Sequence, residues 1–214
     1  MARGTKAQEA AAPTPYHHGD LRQALVQAAV ELLEHEGLSA LSLRAAARRA
    51  GVSHAAPYHH FADKEALLAA VSAAGFRMQM EAMSEAVRNP PPPLEGLHAF
   101  GIRYITWASE HPSLFRLMYS HERATGSASP ELVEASSAIY PQLLQGIQGR
   151  TGCTDAQAHT IALTLWSSVH GMAMLWLDGQ LQWPGAPPLE TLAYEVTDLL
   201  GLVMPRRPAP QQPR

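Results

Sequence analysis

Asn89 is followed by four consecutive prolines, Pro90 to Pro93, inside a chain whose remaining pattern is almost wholly helical. Proline has no amide hydrogen to give a helix and forces the preceding residue out of the helical region, so no helix continues through this run. The chain must therefore fold as helices before and after a stiff connection. Apolar residues make up 46% of 214 positions, which is enough for a sizeable core. Ala and Leu dominate, β-branched residues are sparse and aromatics reach only 7%, so local preference points to an all-α protein.

Apolar spacing predicts the individual helices. A first helix opens at Asp20, read as its cap with Gln23 three residues on, sets Leu21, Leu25, Ala28, Ala29, Leu32 and Leu33 on one face, and stops at Gly37. Ser42 caps a short second helix ending at Gly51. A fourth begins at Asp63 and carries Leu67, Leu68, Val71, Ala74 and Met78 past Ala82. Beyond the prolines, Leu97, Gly101, Tyr104, Ile105 and Ala108 share a face up to Pro112, where a short helix starts. Ser129 and Pro130 open another with a kink expected at Pro141, Thr154 and Gln157 form a capping-box pattern for a helix reaching about Asp178, and a last helix spans 189–203. The expected organisation is an arm over 1–16 and a tail over 205–214 that cannot pack, an N-terminal three-helix module over 17–75, and a larger helical domain over 76–204.

The third segment, Ala55 to Phe61, lies between "GVS" and the fourth helix, and helix, glycine-containing turn, helix is the spacing of a helix-turn-helix. Pro57 is tolerable only in a first turn, which places the cap at Ser53 or His54. From Ser39 to Lys64 the cations Arg44, Arg48, Arg49 and Lys64 face one acid, Asp63, within a chain of net charge −3. Phosphate is the natural counter-charge for such a patch, whereas the overall acidity argues against indiscriminate coating of nucleic acid.

"LSLRAAARRAGVSHAAPYHHFADKEALLAAV" resembles the DNA-binding module of TetR/AcrR transcriptional regulators. The resemblance rests on Ala50-Gly51-Val52-Ser53, Tyr58, His60-Phe61 and Lys64-Glu65, and covers residues 18 to about 75. It implies a homodimer on a palindromic double-stranded operator, usually a repressor released by a small molecule. Carried over by position, Ser42, Arg44, Ser53, His54, Ala55, Tyr58, His59 and Lys64 fall where the family meets DNA. Tyr58, Lys64 and the backbone at the start of the fourth helix suit phosphates, and Arg44 and His59 suit base edges. Ala55 and Ala56 offer methyl contacts only, which leaves a role for DNA shape. Phe61 is expected in the core with His60 buried beside it.

In the second half Tyr104, Trp107, Phe115, Met118, Tyr119, Trp166, His170, Met172 and Trp176 are candidates to line an apolar effector cavity, with ordinary core packing as the alternative for each. "LWSSVHGMAML" resembles the Trp/His-Gly signature of a subgroup of TetR-like C-terminal domains. Trp166 and His170 share a helix face, and a structural hydrogen bond is the alternative role for His170. The last two helices, apolar around much of their circumference, are expected to pair with their symmetry mates as a four-helix dimer interface. The stretch from Ile161 to Leu177 is broken by Thr164, Ser167, Ser168 and His170 and reads as a buried helix rather than a membrane span.

No nucleophile and base pair, glycine-rich phosphate loop or paired carboxylates are visible, so catalysis and cofactors are not expected. The pairs His17-His18 and His59-His60 point apart on a helix and have no ligand-spaced partners, so no metal site is expected. One cysteine, Cys153, and the absence of a leader-like opening place the chain in a reducing cytoplasm. The residues alone also permit an activator or constitutive binder, an all-α carrier or enzyme, and a proline-mediated interaction module.

Overall fold

The structure, a computed structural model, describes residues 18–90, 96–120 and 129–203. The expected arm over 1–16, the tail over 205–214 and Pro91 to Pro93 lie outside the described residues. The fold is all α. In chain order the helices are α1 (His18–Glu36), α2 (Leu43–Arg49), α3 (Lys64–Arg88), α4 (Gly96–Glu110), α5 (Pro112–Met118), α6 (Pro130–Ser137), α7 (Ile139–Thr151), α8 (Asp155–Leu177) and α9 (Leu189–Val203). One 3-10 turn, Ala56–His59, lies between α2 and α3.

Local chemistry sets most of the ends. The hydroxyl of Ser42 accepts from the amide of Ala45, the Asp63 carboxylate from that of Ala66, and the Ser129 hydroxyl from that of Leu132. Thr154 and Gln157 make both halves of a capping box. At the end of α2 the amides of Gly51 and Val52 donate to the carbonyls of Arg48 and Ala47, the paired bonds of a Schellman motif. That motif needs a left-handed residue after the C-cap, and Gly51 supplies it with φ +71°.

Three expectations are corrected. The first helix begins at His18, so Asp20 lies within its first turn and is not its cap. The segment after "GVS" is a single 3-10 turn with Ala55 at the cap position and no side-chain cap bond; Ser53 takes part through its carbonyl, which accepts from the amide of Ala56. Four residues between two tight turns leave no room for an α-helical ladder, and the tighter i to i+3 pattern fits. The kink expected at Pro141 is a break: α6 ends at Ser137 and α7 starts at Ile139, because the Pro141 ring opposes the carbonyl of Ser137 four residues back.

The core of the N-terminal module comes from Leu25, Ala29, Leu32 and Leu33 of α1, Leu41, Leu43 and Ala46 around α2, Phe61, and Leu67 and Val71 of α3. The cluster runs without a gap into the second half through α3, which packs against α1 and also against α4, α5 and α6. The boundary at 75 and 76 thus falls within a continuous 25-residue helix. At that point α5 approaches closely, and a methyl on Gly75 would lie 2.6 Å from the Met118 sulfur. In the second half α4 is central and contacts α3, α8 and α9, while Leu143 and Ile147 of α7 form a separate cluster with Ala158, Ala162 and Leu165 of α8.

Candidate nucleic-acid interface and sensor cluster

The 3-10 turn is held from beneath. Pro57 and Phe61 are buried, Val52 packs against the same core, and the Arg22 guanidinium lies 5.3 Å from the Phe61 ring centre. The remaining residues of this corner face outward. Ser42, Arg44, Ser53, His54, Ala55, Tyr58, His59 and Lys64 are all exposed, Tyr58 by 53% despite its apolar ring. His60, expected to be buried, is half-buried, since a short 3-10 turn cannot bring its side chain fully beneath Phe61.

Charge at this corner differs from the count along the sequence. Arg49 is engaged by Glu31 of α1 at 2.9 Å, which lowers the carboxyl pKa of Glu31. Arg44, Arg48 and Lys64 have no carboxylate partner among the described residues. Arg48 therefore joins the candidate interface, and Arg49 leaves it. Ser42 has a structural duty as the α2 cap, although its hydroxyl proton remains available as a donor. The backbone at the start of α3 is a poorer phosphate seat than expected, because the Asp63 carboxylate already occupies the amide of Ala66 at 2.8 Å.

Deep in the second half Tyr104 of α4, Phe115 of α5, Tyr119 just past α5 and His170 of α8 converge. Their rings meet at centroid distances of 5.7 Å for Tyr104 and Phe115, 5.5 Å for Phe115 and His170, and 4.7 Å for Tyr119 and His170. Trp166 stands 6.5 Å from His170 at the outer edge. Burial holds the Tyr104 hydroxyl well above the usual phenol range, and desolvation lowers the His170 imidazole. At neutral pH both are uncharged, and the Tyr104 hydroxyl and Nδ1 of His170 share a hydrogen bond at 2.8 Å. The structural alternative for His170 and its place in the aromatic cluster thus coexist. Trp107 turns away to pack on His111 and Met118 fills the contact with Gly75. Met172 is buried and Trp176 half-buried, and no described ring contact joins Trp176 to the cluster.

Sequence reasoning missed Gln79. This α3 side chain is fully buried and accepts from the Tyr119 hydroxyl through Oε1 at 3.2 Å. A lone glutamine in an Ala- and Met-rich helix reads as a surface residue; only its position on the same face as the core residues Ser72 and Phe76 carried a signal.

The outer face of α8 and α9 corrects the expectation that Ile161 to Leu177 is a buried helix. Ala158, Ala162, Leu165, Val169, Met172 and Ala173 are covered, whereas Leu163, Trp166 and Leu175 are exposed, as are Tyr194 and Leu199 of α9. The helix is long and apolar enough to cross a membrane. Its uncovered face nonetheless carries Thr160, Thr164 and Ser168, whose hydroxyls donate to carbonyls four residues back.

An all-α fold with a helix-turn-helix corner, an uncompensated cationic face and a separate aromatic cluster defines a DNA-binding regulator. Comparison with known proteins agrees. Residues 25–71 match the model of bacterial regulatory proteins of the tetR family, and residues 97–199 match the tetracyclin repressor-like C-terminal domain. The latter match does not name the Trp/His-Gly subgroup. The HTH-type transcriptional regulator BetI of Rhizobium meliloti (strain 1021) is 30% identical over 139 residues, 64% of this chain and 68% of the relative. A protein of unknown function from Rhodococcus sp. RHA1 superimposes with a TM-score of 0.73 at 32% identity, covering 91% of this chain and all of that one. FadR from Bacillus subtilis in complex with stearoyl-CoA shares the fold, with a TM-score of 0.62 at 18% identity over 83% and 96% of the two chains. The chain belongs to the TetR family of transcriptional regulators, and its N-terminal module is that family's DNA-binding domain.

Proposed function

We propose that this protein is a homodimeric, cytoplasmic repressor, without enzymatic activity, that binds a palindromic operator and is released by a small apolar ligand. The observation that carries the reading is the outward-facing set of Arg44, Arg48, Tyr58 and Lys64 around the 3-10 turn, whose cations have no carboxylate paired with them among the described residues. Tyr58, Arg48 and Lys64 serve phosphates, Arg44 and His59 serve base edges, and Ser53, His54 and Ala55 form the closest surface. Pairing through the exposed face of α8 and α9 supplies the second half-site reader.

Release needs a path from the aromatic cluster to the reading corner, and α1 offers two attachments. Its Glu34 carboxylate accepts from the amide of Leu114 at 3.0 Å, at the start of the helix that carries Phe115. Its Arg22 pairs with Glu131 of α6, which also holds Arg77 of α3 at 2.9 Å. Burial works against the Glu131 carboxylate, yet the two guanidiniums win and its pKa is lowered. A ligand that shifts α5 therefore pulls on α1, and α1 carries the Arg22 contact beneath Phe61. The two states differ in the contacts the ligand makes, as any population shift requires.

A gel shift on DNA from upstream of the protein's own coding region, titrated with acyl-CoA esters and with neutral aromatic compounds, tests the release. At least one class is expected to free the DNA without unfolding the protein. Undiminished binding in every titration would remove the sensor half of the proposal and leave a constitutive DNA binder.

A further inference from the structure

We infer that the aromatic cluster, read as the effector site, is built for an uncharged ligand bearing a hydrogen-bond acceptor such as a ketone, ester or amide carbonyl on an apolar body. The inference rests on that sensor reading and goes further by fixing the polar chemistry of the ligand. Three observations converge on it.

The first is Gln79. Its side chain is fully buried, its Oε1 is taken by the Tyr119 hydroxyl, and its Nε2 has no acceptor among the described residues. An unmatched buried amide costs more stability than a leucine or methionine would in its place. Phe76 and Met83, one turn away on the same face of α3, are buried and apolar, so apolar chemistry is available to this helix face. An amide pinned at one end by Tyr119 presents its N–H at a fixed position, which is what recognition of a carbonyl oxygen requires.

The second is the His170 imidazole. Its Nδ1 shares a hydrogen bond with the Tyr104 hydroxyl at 2.8 Å, which leaves Nε2 as a further neutral polar group of the same cluster. Tyr119 links the two, hydrogen-bonded to Gln79 and 4.7 Å from the His170 ring. Exposure falls from Trp166 at the surface, through half-buried His170 and Tyr119, to Gln79, so the Gln79 amide stands at the inner end of the aromatic cluster.

The third is charge. No cation or carboxylate is hydrogen-bonded to Gln79, Tyr104 or His170 among the described residues; the nearby ions are engaged elsewhere, Arg103 with Glu110 and Arg116 with Asp178. Among the described residues no guanidinium or ammonium is bonded to these groups to replace the hydration that a carboxylate ligand would lose, and an ammonium would meet the Gln79 N–H rather than an acceptor. A neutral acceptor satisfies the Gln79 amide N–H at no such cost.

Three probes with one aryl-alkyl body separate these chemistries: 4-phenyl-2-butanone, 3-phenylpropionate and butylbenzene. They are titrated into the full-length protein, followed by tryptophan fluorescence, with Trp166 as the nearest reporter. The ketone is expected to bind about tenfold more tightly than either other probe, the scale of one hydrogen bond to a buried donor. Gln79→Leu should bring the ketone to the butylbenzene level, leave butylbenzene unchanged, and melt no lower than the parent without ligand. Tyr119→Phe, which frees the amide, should reduce the ketone preference by a smaller factor. Equal affinity for ketone and hydrocarbon, tighter binding of the carboxylate, or an unchanged ketone preference in both variants would overturn the inference while leaving the sensor reading intact. Failure of all three probes to bind would remove both, and operator binding would still stand on the N-terminal corner.

Discussion

Arg44→Ala is expected to weaken operator binding about 5- to 150-fold per half-site, the range for losing one good contact to a base edge, and to blur discrimination at the position it reads. Lys64→Ala should behave differently. As a phosphate contact it should lower affinity for operator and random DNA alike and reduce the slope of log K against log salt by about 0.9. Arg49→Ala supplies the internal control, because that guanidinium is already paired with Glu31 on α1. Fluorescence anisotropy across a salt series separates the three variants. Intact affinity in both Arg44→Ala and Lys64→Ala would mean that the reading surface lies elsewhere.

Leu163→Asp combined with Leu199→Asp is expected to give a folded monomer. These leucines are 54% and 62% exposed in the single chain, so the carboxylates meet water and the fold keeps its stability. Across a two-fold axis the same carboxylates would face apolar partners and one another, which opposes association strongly. A specific dimer typically covers about 800 Å² per partner, and the face shared by Leu163, Trp166, Leu175, Tyr194 and Leu199 is the apolar surface that suits it. Sedimentation velocity should report the mass of one chain. Operator affinity should fall by about 10²- to 10⁴-fold because the second half-site is no longer held at high effective concentration. A double variant that still sediments as a dimer would place the interface elsewhere.

What the sequence made legible was mostly local. Ser42, Asp63, Ser129 and the Thr154 and Gln157 pair announce helix starts because a cap is made within three residues of itself, and all four act as caps. Asp20 shows the limit of the same rule, since α1 runs back to His18 and passes through it. Pro57 signalled a first turn correctly but not the kind of helix, which was decided by the shortness of the segment between two turns.

Features that depend on distant partners were out of reach. Glu31 and Arg49 are separated by 18 positions, and their pairing changed which guanidiniums are free for a phosphate. Gln79 and Tyr119 are 40 apart, and only the place of Gln79 on the face of Ser72 and Phe76 hints at its burial. Aromatic content singled out the second half, but only the packing of α4, α5 and α8 brought Tyr104, Phe115, Tyr119 and His170 together and left out Trp107 and Trp176. Likewise, the largely apolar stretch of α8 read as core, whereas one of its faces is left uncovered by the chain's own helices.

The functional account stands on one corner reading DNA twice, once from each protomer. Nuclease protection of the DNA upstream of the protein's own coding region, with the purified full-length chain at moderate salt, measures this directly. Two protected stretches on a palindrome are expected, centred about 34–36 Å apart or a multiple of it, as two major-groove readers require. Protection of one unpaired stretch, or uniform coverage without a preferred site, would contradict it.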